Sequence, residues 1–376
     1  MTTLPLSGIR ILDLTRVLAG PLAAMTLGDL GADVIKVERA GEGDETRGWG
    51  PPFDNRGESA YYLSVNRNKL SVAVDLTSAR DVQMLSDLIS QADAVLDNFR
   101  PGMLERHGLD PRPHLESRPD LIWCTLTGFG PSSSRPGYDF VVQAESGWMA
   151  ITGEPEGQPM KVGVALADVI AGKDATVAIL AGLAARGRGR PAEERHVFIS
   201  LSGSAVAALV NVAQNVLVSG RDAGRWGNAH PNLVPYQLFD AADRSIVIAV
   251  GSDAQWRGCA RALGLDQLAA DSRLETNAGR LANRALIVES MRSRVLERSA
   301  AHWLTTLAAA GVPAGIVRSV REAVAEMDAS PITGVAPNAP GTVRRPPPML
   351  DEHGALVRQY GWAAFADLTK RPPVTA

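Results

Sequence analysis

Cysteine is nearly absent. Cys124 and Cys259 are the only thiols in 376 residues, too few for a disulfide framework or a cysteine-rich metal site and in keeping with a reducing compartment. Neither sign of charge dominates. Lys and Arg number 38 against 41 Asp and Glu, a net charge of -3, which gives no general pull toward nucleic acid or an anionic membrane. Long apolar runs are missing too: nowhere do about 18 apolar residues follow one another, so no spanning helix is expected. The opening MTTLPLSGIRILDLT lacks the basic start, long apolar stretch and small-residue cleavage site of a secretory signal, and the expected location is cytoplasmic. His107, His114, His196, His230, His302 and His353 are scattered, with no pair at ligand spacing beside a carboxylate; no metal site is expected. Internal repeats, low-complexity tracts and heptads are also absent.

What is present is alternation. IRILDLT (9–15), DVIKVE (33–38), SVAVDL (71–76), AVLDNF (94–99) and LIWCTLTG (121–128) read as strands, with helices predicted at 21–31, 78–91 and 101–107. Such crossover units build a mainly parallel sheet with helices on its faces, an α/β fold. A long helical stretch follows Asp168, then a strand at VFIS and a helix from Ser204 to about Ser219. The texture then changes: YQLF (236–239) and SIVIAV (245–250) read as an antiparallel hairpin, followed by helices near 253–263, 279–297 and 300–310. The expected organisation is a large domain at 1–200, a linker helix at 201–224, a small α+β domain at 225–327, a Pro/Gly-rich linker at 328–348, and a tail at 349–376 that returns to the large domain.

The first strand and helix, with Glu38 closing the second strand, invite a dinucleotide reading. The connecting TRVLAGPLAAM has no GxGxxG spacing, however, and no GxxxxGK[ST] occurs anywhere, so nicotinamide, flavin and P-loop readings are disfavoured. Basic and aromatic residues stand at strand ends instead: Arg39, the run Asn66-Arg67-Asn68-Lys69, Asn98, Phe99 and Arg106. In a parallel sheet, those at carboxyl ends can converge on a phosphate-bearing ligand, with Phe99 offering a face to a purine; as solvated loop charges they would do nothing of the kind.

Asp168 sits inside KVGVALADVIAGKDAT, a run of small apolar residues. It can be a helix N-cap, a buried acid held in a salt bridge, or a reactive carboxylate.

LDLTRVLAGPLAAMTLGDLGADVIKVE (12–38), GDETRGWGPPF (43–53), YYLSVNRNKLSVAVDL (61–76), DNFRPGMLERHGL (97–109), TGFG with PGYD (127–130 and 136–139), VALAD (164–168) and RWGNAHPNLVPYQLF (225–239) together resemble the class III CoA-transferases, most of all the branch that moves CoA between short dicarboxylates. The resemblance implies a Rossmann-like large domain, an intertwined homodimer, and Asp168 as nucleophile. It also implies coenzyme A esters as substrates with no tightly bound cofactor. Val17, Leu18, Arg39, Val74, Asn98, Phe99, Arg106 and Tyr138 are the implied CoA contacts, with Tyr138 beside the pantetheine path. The implied reaction moves CoA from a short acyl-CoA donor, succinyl-CoA, to a small acid such as itaconate or glutarate, through an aspartyl anhydride and an aspartyl-CoA thioester. Arg47 either pairs with the distal carboxylate of the acyl group or forms a structural salt bridge; the role of Lys69 is open. Formyl-CoA transferase-like members carry Gln at the position of Leu18 and a glycine-run lid with no counterpart in VGSDAQW (250–256), so formate and oxalate are not expected acceptors. Phe198, Gly203 and Asp351-Glu352 also depart from the family pattern. Two rivals share the resemblance. An α-methylacyl-CoA racemase needs a second base where Tyr138 stands, and a tyrosine titrates too high for it. A silent acyl-CoA-binding paralogue would have no use for an intact VALAD.

Overall fold

The computed structural model describes residues 3–370. Within them the chain forms two compact units. The larger takes in the chain up to Trp148, Lys161–Arg221 and the chain from Met327 on; the smaller takes in Met149–Met160 and Asp222–Glu326. Residues 149–160 therefore fall in the smaller unit, although the strand-and-helix pattern assigned them to the large domain. The expected linker helix groups with the larger unit as far as Arg221. Residues 371–376 of the expected tail lie outside the described residues.

The larger unit is built on one sheet: β1 (Arg10–Leu14), β2 (Asp33–Arg39), β3 (Lys69–Val74), β4 (Ala94–Asp97), β5 (Ile122–Thr127) and β6 (His196–Ser200), all parallel, in the order β3-β2-β1-β4-β5-β6. The connections carry α1 (Ala19–Asp29), the single turn α2 (Ala60–Leu63), α3 (Ala79–Gln91), α4 (Pro111–Ser117), α5 (Asp139–Glu145) and the turn α6 (Trp148–Ile151), of which all but Trp148 belongs to the smaller unit. They continue with α7 (Leu166–Ala184), the turn α8 (Ala192–Arg195), α9 (Leu201–Ala207) and α10 (Asn211–Ser219). Side chains alternate across each strand, so the sheet separates two cores. Ile11, Val34, Ile122 and Cys124 pack with α1 and α7, while Leu12, Ile35, Leu70 and Trp123 pack with α3, α4 and Trp362. The strand order runs in opposite directions from β1, so a ligand crevice is expected outside the carboxyl ends of β1 and β4.

Three helix expectations change. Over 101–107 only the 3-10 turn Glu105–His107 forms, because Gly102 takes a φ of 79° that an α-helix does not continue through. The predicted helix at 204–219 is two, α9 and α10, bent by 72° around Val210. The one at 279–297 breaks at Asn283. Among the described residues no single helix is long and apolar enough to cross a membrane.

The segment 328–348 is tied down rather than loose. Arg67 Nη1 donates to the carbonyls of Thr333 and Val335 at 2.8 and 2.7 Å. Asn68 Oδ1 accepts from the amides of Arg344 and Arg345 at 2.6 and 2.9 Å. The tail then covers the open edge of β3: Asp351 Oδ1 accepts from the Ala73 amide at 2.7 Å, and Arg358 Nη2 donates to the Ala73 carbonyl at 2.6 Å. An edge strand screened this way cannot recruit another chain. In the smaller unit the expected hairpin, β7 (Tyr236–Asp240) and β8 (Ser245–Ala249), gains a third antiparallel strand, β9 (Ala314–Ile316). Its own core includes Phe239, Ile248, Trp256 and Trp303.

Candidate active site

The turn from β1 into α1 lies where nucleotide-binding folds of this strand order place glycines, yet it reads Thr15-Arg16-Val17-Leu18. Val17 nevertheless takes a φ of 73°, costly for a β-branched residue and sustained only when the surroundings fix it. Here they do. The Val17 amide donates to both Asp44 carboxylate oxygens at 3.3 Å, and Lys36 Nζ bridges the Thr15 carbonyl at 2.9 Å and Asp44 Oδ2 at 3.0 Å. Lys36 and Asp44 are both fully buried as side chains. Burial alone would lower Lys36, but the charges of Asp44, Asp13 and Glu38 outweigh it and hold its pKa above the ordinary value. From the other side of the crevice, Asn98 accepts from the Arg16 amide at 3.1 Å and donates to the Arg16 carbonyl at 2.9 Å. Gly20 allows the turn to close: a Cβ there would lie 2.3 Å from Thr15 Cβ.

Asp168 is not an N-cap and, among the described residues, is not half of a salt bridge. Helix α7 begins at Leu166 after Ala165, which supplies no side-chain cap, so Asp168 stands inside the first turn. The capping oxygen comes from α5 instead. Asp139 Oδ1 accepts from the amides of Ala167 and Asp168 at 2.8 and 3.3 Å, and Gln143 Nε2 donates to Asp139 Oδ2 at 2.7 Å. Gln143 is fully buried and also accepts from the Val162 amide at 2.8 Å. Burial, then the charge of Asp139, pushes the Asp168 carboxyl up to about 7. One turn further along α7, a Cβ on Gly172 would lie 2.6 Å from the Ala19 carbonyl oxygen. This contact presses α7, the helix that carries Asp168, onto the first turn of α1.

Tyr61, on α2, joins this group although no reading of the sequence singled it out. Burial, then the charges of Asp168, Asp139 and Asp44, pushes its hydroxyl up to about 12, so it stays a proton donor at neutral pH. Its ring meets Trp49 edge-on with centroids 5.1 Å apart. The one available signal was its place in YYLSVNRNK.

The remaining expected contacts stand at the carboxyl ends of strands or in the segments that follow them. Arg39 and Val74 are register partners at the carboxyl ends of β2 and β3; the Arg39 side chain is 73% exposed and pairs with Glu42 at 2.8 Å. Phe99 opens the loop after β4 and, with Arg100, Thr125, His196 and Phe198, lines a cavity of about 180 Å³. Arg106 is exposed on the Glu105–His107 turn. Tyr138, 56% exposed, directly precedes Asp139. Gly128 and Gly137 pinch the preceding loop, since a Cβ on Gly137 would lie 2.1 Å from Gly128 Cα.

Other candidates turn inward. Arg47 bonds Glu38 through Nε and Nη2 at 2.9 and 2.7 Å, Glu58 at 2.6 Å, the Tyr62 hydroxyl at 2.6 Å and the Pro348 carbonyl at 3.2 Å. Of the two roles open for it, the structural salt bridge is the one realised. The run Asn66-Arg67-Asn68-Lys69 is buried throughout. Arg67 pairs with Asp29, and Lys69 with Asp13, at 2.7 and 2.8 Å. Burial dominates at Lys69 and lowers it to about 8.

The six-stranded parallel sheet thus carries a first turn, Thr15 to Leu18, without the glycines of a dinucleotide site, and a half-buried acid, Asp168, in the first turn of α7. Residues 6–354 match CoA-transferase family III, and the chain belongs to that family. It is 41% identical over 373 residues to succinyl-CoA:glutarate CoA-transferase of Mus musculus, covering 93% of this chain and 84% of that protein. It is 40% identical over 380 residues to succinate–glutarate CoA-transferase of Agrobacterium fabrum, covering 94% of each. The crystal structure of a CAIB/BAIF family protein from Brucella suis superposes with a TM-score of 0.81 at 38% identity, over 95% of this chain and 99% of that one.

Proposed function

We propose that this CoA-transferase moves CoA from succinyl-CoA to a small dicarboxylic acid such as glutarate or itaconate, with Asp168 as nucleophile. The carrying observation is Asp168 itself, a carboxyl with no cationic partner among the described residues, in the first turn of the apolar helix whose Gly172 packs on Ala19 of α1. The similarity to the mouse and Agrobacterium proteins supports succinyl-CoA and glutarate.

The steps follow from carboxylate chemistry. An Asp168 oxygen attacks the thioester carbonyl, the C–S bond breaks, and CoA leaves as thiolate, giving a mixed anhydride. The thiolate then attacks the Asp168 carbonyl, the anhydride C–O bond breaks, and succinate leaves from an aspartyl-CoA thioester. The acceptor carboxylate attacks that thioester, and the reverse sequence delivers its CoA ester. The sequence balances without a resident cofactor or metal. It requires water to be kept out, and donors where each oxyanion forms; the Tyr61 hydroxyl is suited to donate. In this reading Val17, Leu18, Arg39, Val74, Asn98, Phe99, Arg106 and Tyr138 border the CoA ester. Asn98 acts there through the Arg16 backbone, because both ends of its amide are engaged. A homodimer belongs to the same reading: α10 buries none of its residues within the chain, and Leu217 and Val218 are each 77% exposed.

The test is to incubate the protein with succinyl-CoA alone, add hydroxylamine, and map the product by mass spectrometry. A hydroxamate on Asp168 is expected. Its absence, with CoA-ester binding intact, overturns covalent catalysis at this residue, and solvent deuterium entering a 2-methylacyl-CoA would then point to the racemase.

A further inference from the structure

We propose that Asp139 is a positioning residue that drives Asp168 toward its covalent states: hydrogen-bonded to the backbone of the nucleophile's own helical turn, it makes the free Asp168 anion unfavourable and leaves the esterified side chain untouched. This rests on the reading of Asp168 as nucleophile.

The geometry holds two acids side by side. Three N–H donors, the Ala167 and Asp168 amides and Gln143 Nε2, point at Asp139, and an ionised carboxylate accepts all three with no proton of its own. Asp139 thus takes up amides that elsewhere would favour an anion at a helix start. Among the described residues of the larger unit the titratable side chains facing Asp168 are Asp139 from α5 and Tyr61 from α2, with Asp44 behind Tyr61. None is a cation, so nothing there offsets the repulsion between the two acids.

The consequence appears when charge is followed through the reaction. Free Asp168 carries a negative charge beside Asp139. In the anhydride that charge has left with the CoA sulfur; in the thioester it has left with the carboxylate of succinate. Both covalent forms are neutral at Asp168, as the protonated acid is. Repulsion by Asp139 therefore favours protonation and acylation by the same factor.

This equality makes the inference testable. Asp139→Asn keeps a good capping oxygen and removes the charge; Asp139→Ser does likewise with a shorter side chain, should the first variant fail to fold. For each, kcat/KM with succinyl-CoA and glutarate is measured from pH 5 to 9. In parallel, the ratio of Asp168 thioester to free enzyme is measured above neutral pH by hydroxylamine trapping, at a fixed ratio of succinyl-CoA to succinate. The acid limb is expected to move down by about one pH unit, and the trapped ratio to fall about tenfold. An unmoved limb, or a moved limb with an unchanged trapped ratio, overturns the role of Asp139. Failure to trap Asp168 in the unaltered protein is a different result: it removes the nucleophile itself.

Discussion

Replacing Asp168 with asparagine is expected to stabilise the protein, by an amount that grows with pH. The carboxyl stands at about 7 in the fold against an ordinary 3.8, because of burial first and Asp139 second. Between those values the folded chain keeps a proton that the unfolded chain has lost. The folded state binds more protons, so stability falls as pH rises through this window, and the loss is complete above about 7. About two pH units of the window lie above pH 5, a ceiling of about 2.7 kcal/mol. Water at the partly open side of the site reduces this to about half. For a unit of this size, about 2 °C accompanies each kcal/mol. The melting temperature of Asp168→Asn relative to the unaltered protein is therefore expected to rise by about 3 °C between pH 5 and pH 8, measured by calorimetry without CoA esters. A difference that does not change with pH would show that Asp168 ionises freely, and would remove the basis for calling it poised.

Two further substitutions test the surroundings. Arg47→Met leaves the Glu38 and Glu58 carboxylates without their guanidinium and is expected to cost about 3–5 kcal/mol in denaturant unfolding; a stable variant with altered preference for acid length would reassign Arg47 to the substrate. Gly172→Ala drives a methyl group into the Ala19 carbonyl and is expected to cost about 1–3 kcal/mol, with an unchanged melting temperature refuting the tight approach of α7 to α1.

The strands of the larger unit were legible because buried parallel strands are runs of apolar and β-branched residues, and such runs need no knowledge of distant partners. The same applied to the hairpin of the smaller unit. What could not be read were contacts between remote segments. A cap was one local reading of Asp168, because an acid before an apolar helix often is one; the actual cap, Asp139, comes from another helix 29 residues earlier. Asn66-Arg67-Asn68-Lys69 read locally as a polar run before a strand, either near a ligand or solvated, since charge is normally exposed. Its buried partners, Asp29, Asp13 and the carbonyls of Thr333 and Val335, are up to 268 residues away. Tyr61 acquires its importance only from the approach of Asp168, Asp139 and Asp44, which no local pattern encodes.

The strap at 328–348 also imposes an order on synthesis. Asp29, Arg67 and Asn68 emerge early from the ribosome, but the carbonyls and amides that complete their bonding belong to residues 333–345, beyond the whole smaller unit in the chain. The larger unit thus waits, unfinished, while more than two hundred residues are added, and the smaller unit, whose main segment is continuous, has everything it needs for its sheet and core first. A chain that stalls before the strap would present an intact inserted unit on an incompletely closed host, the species a chaperone or protease would meet.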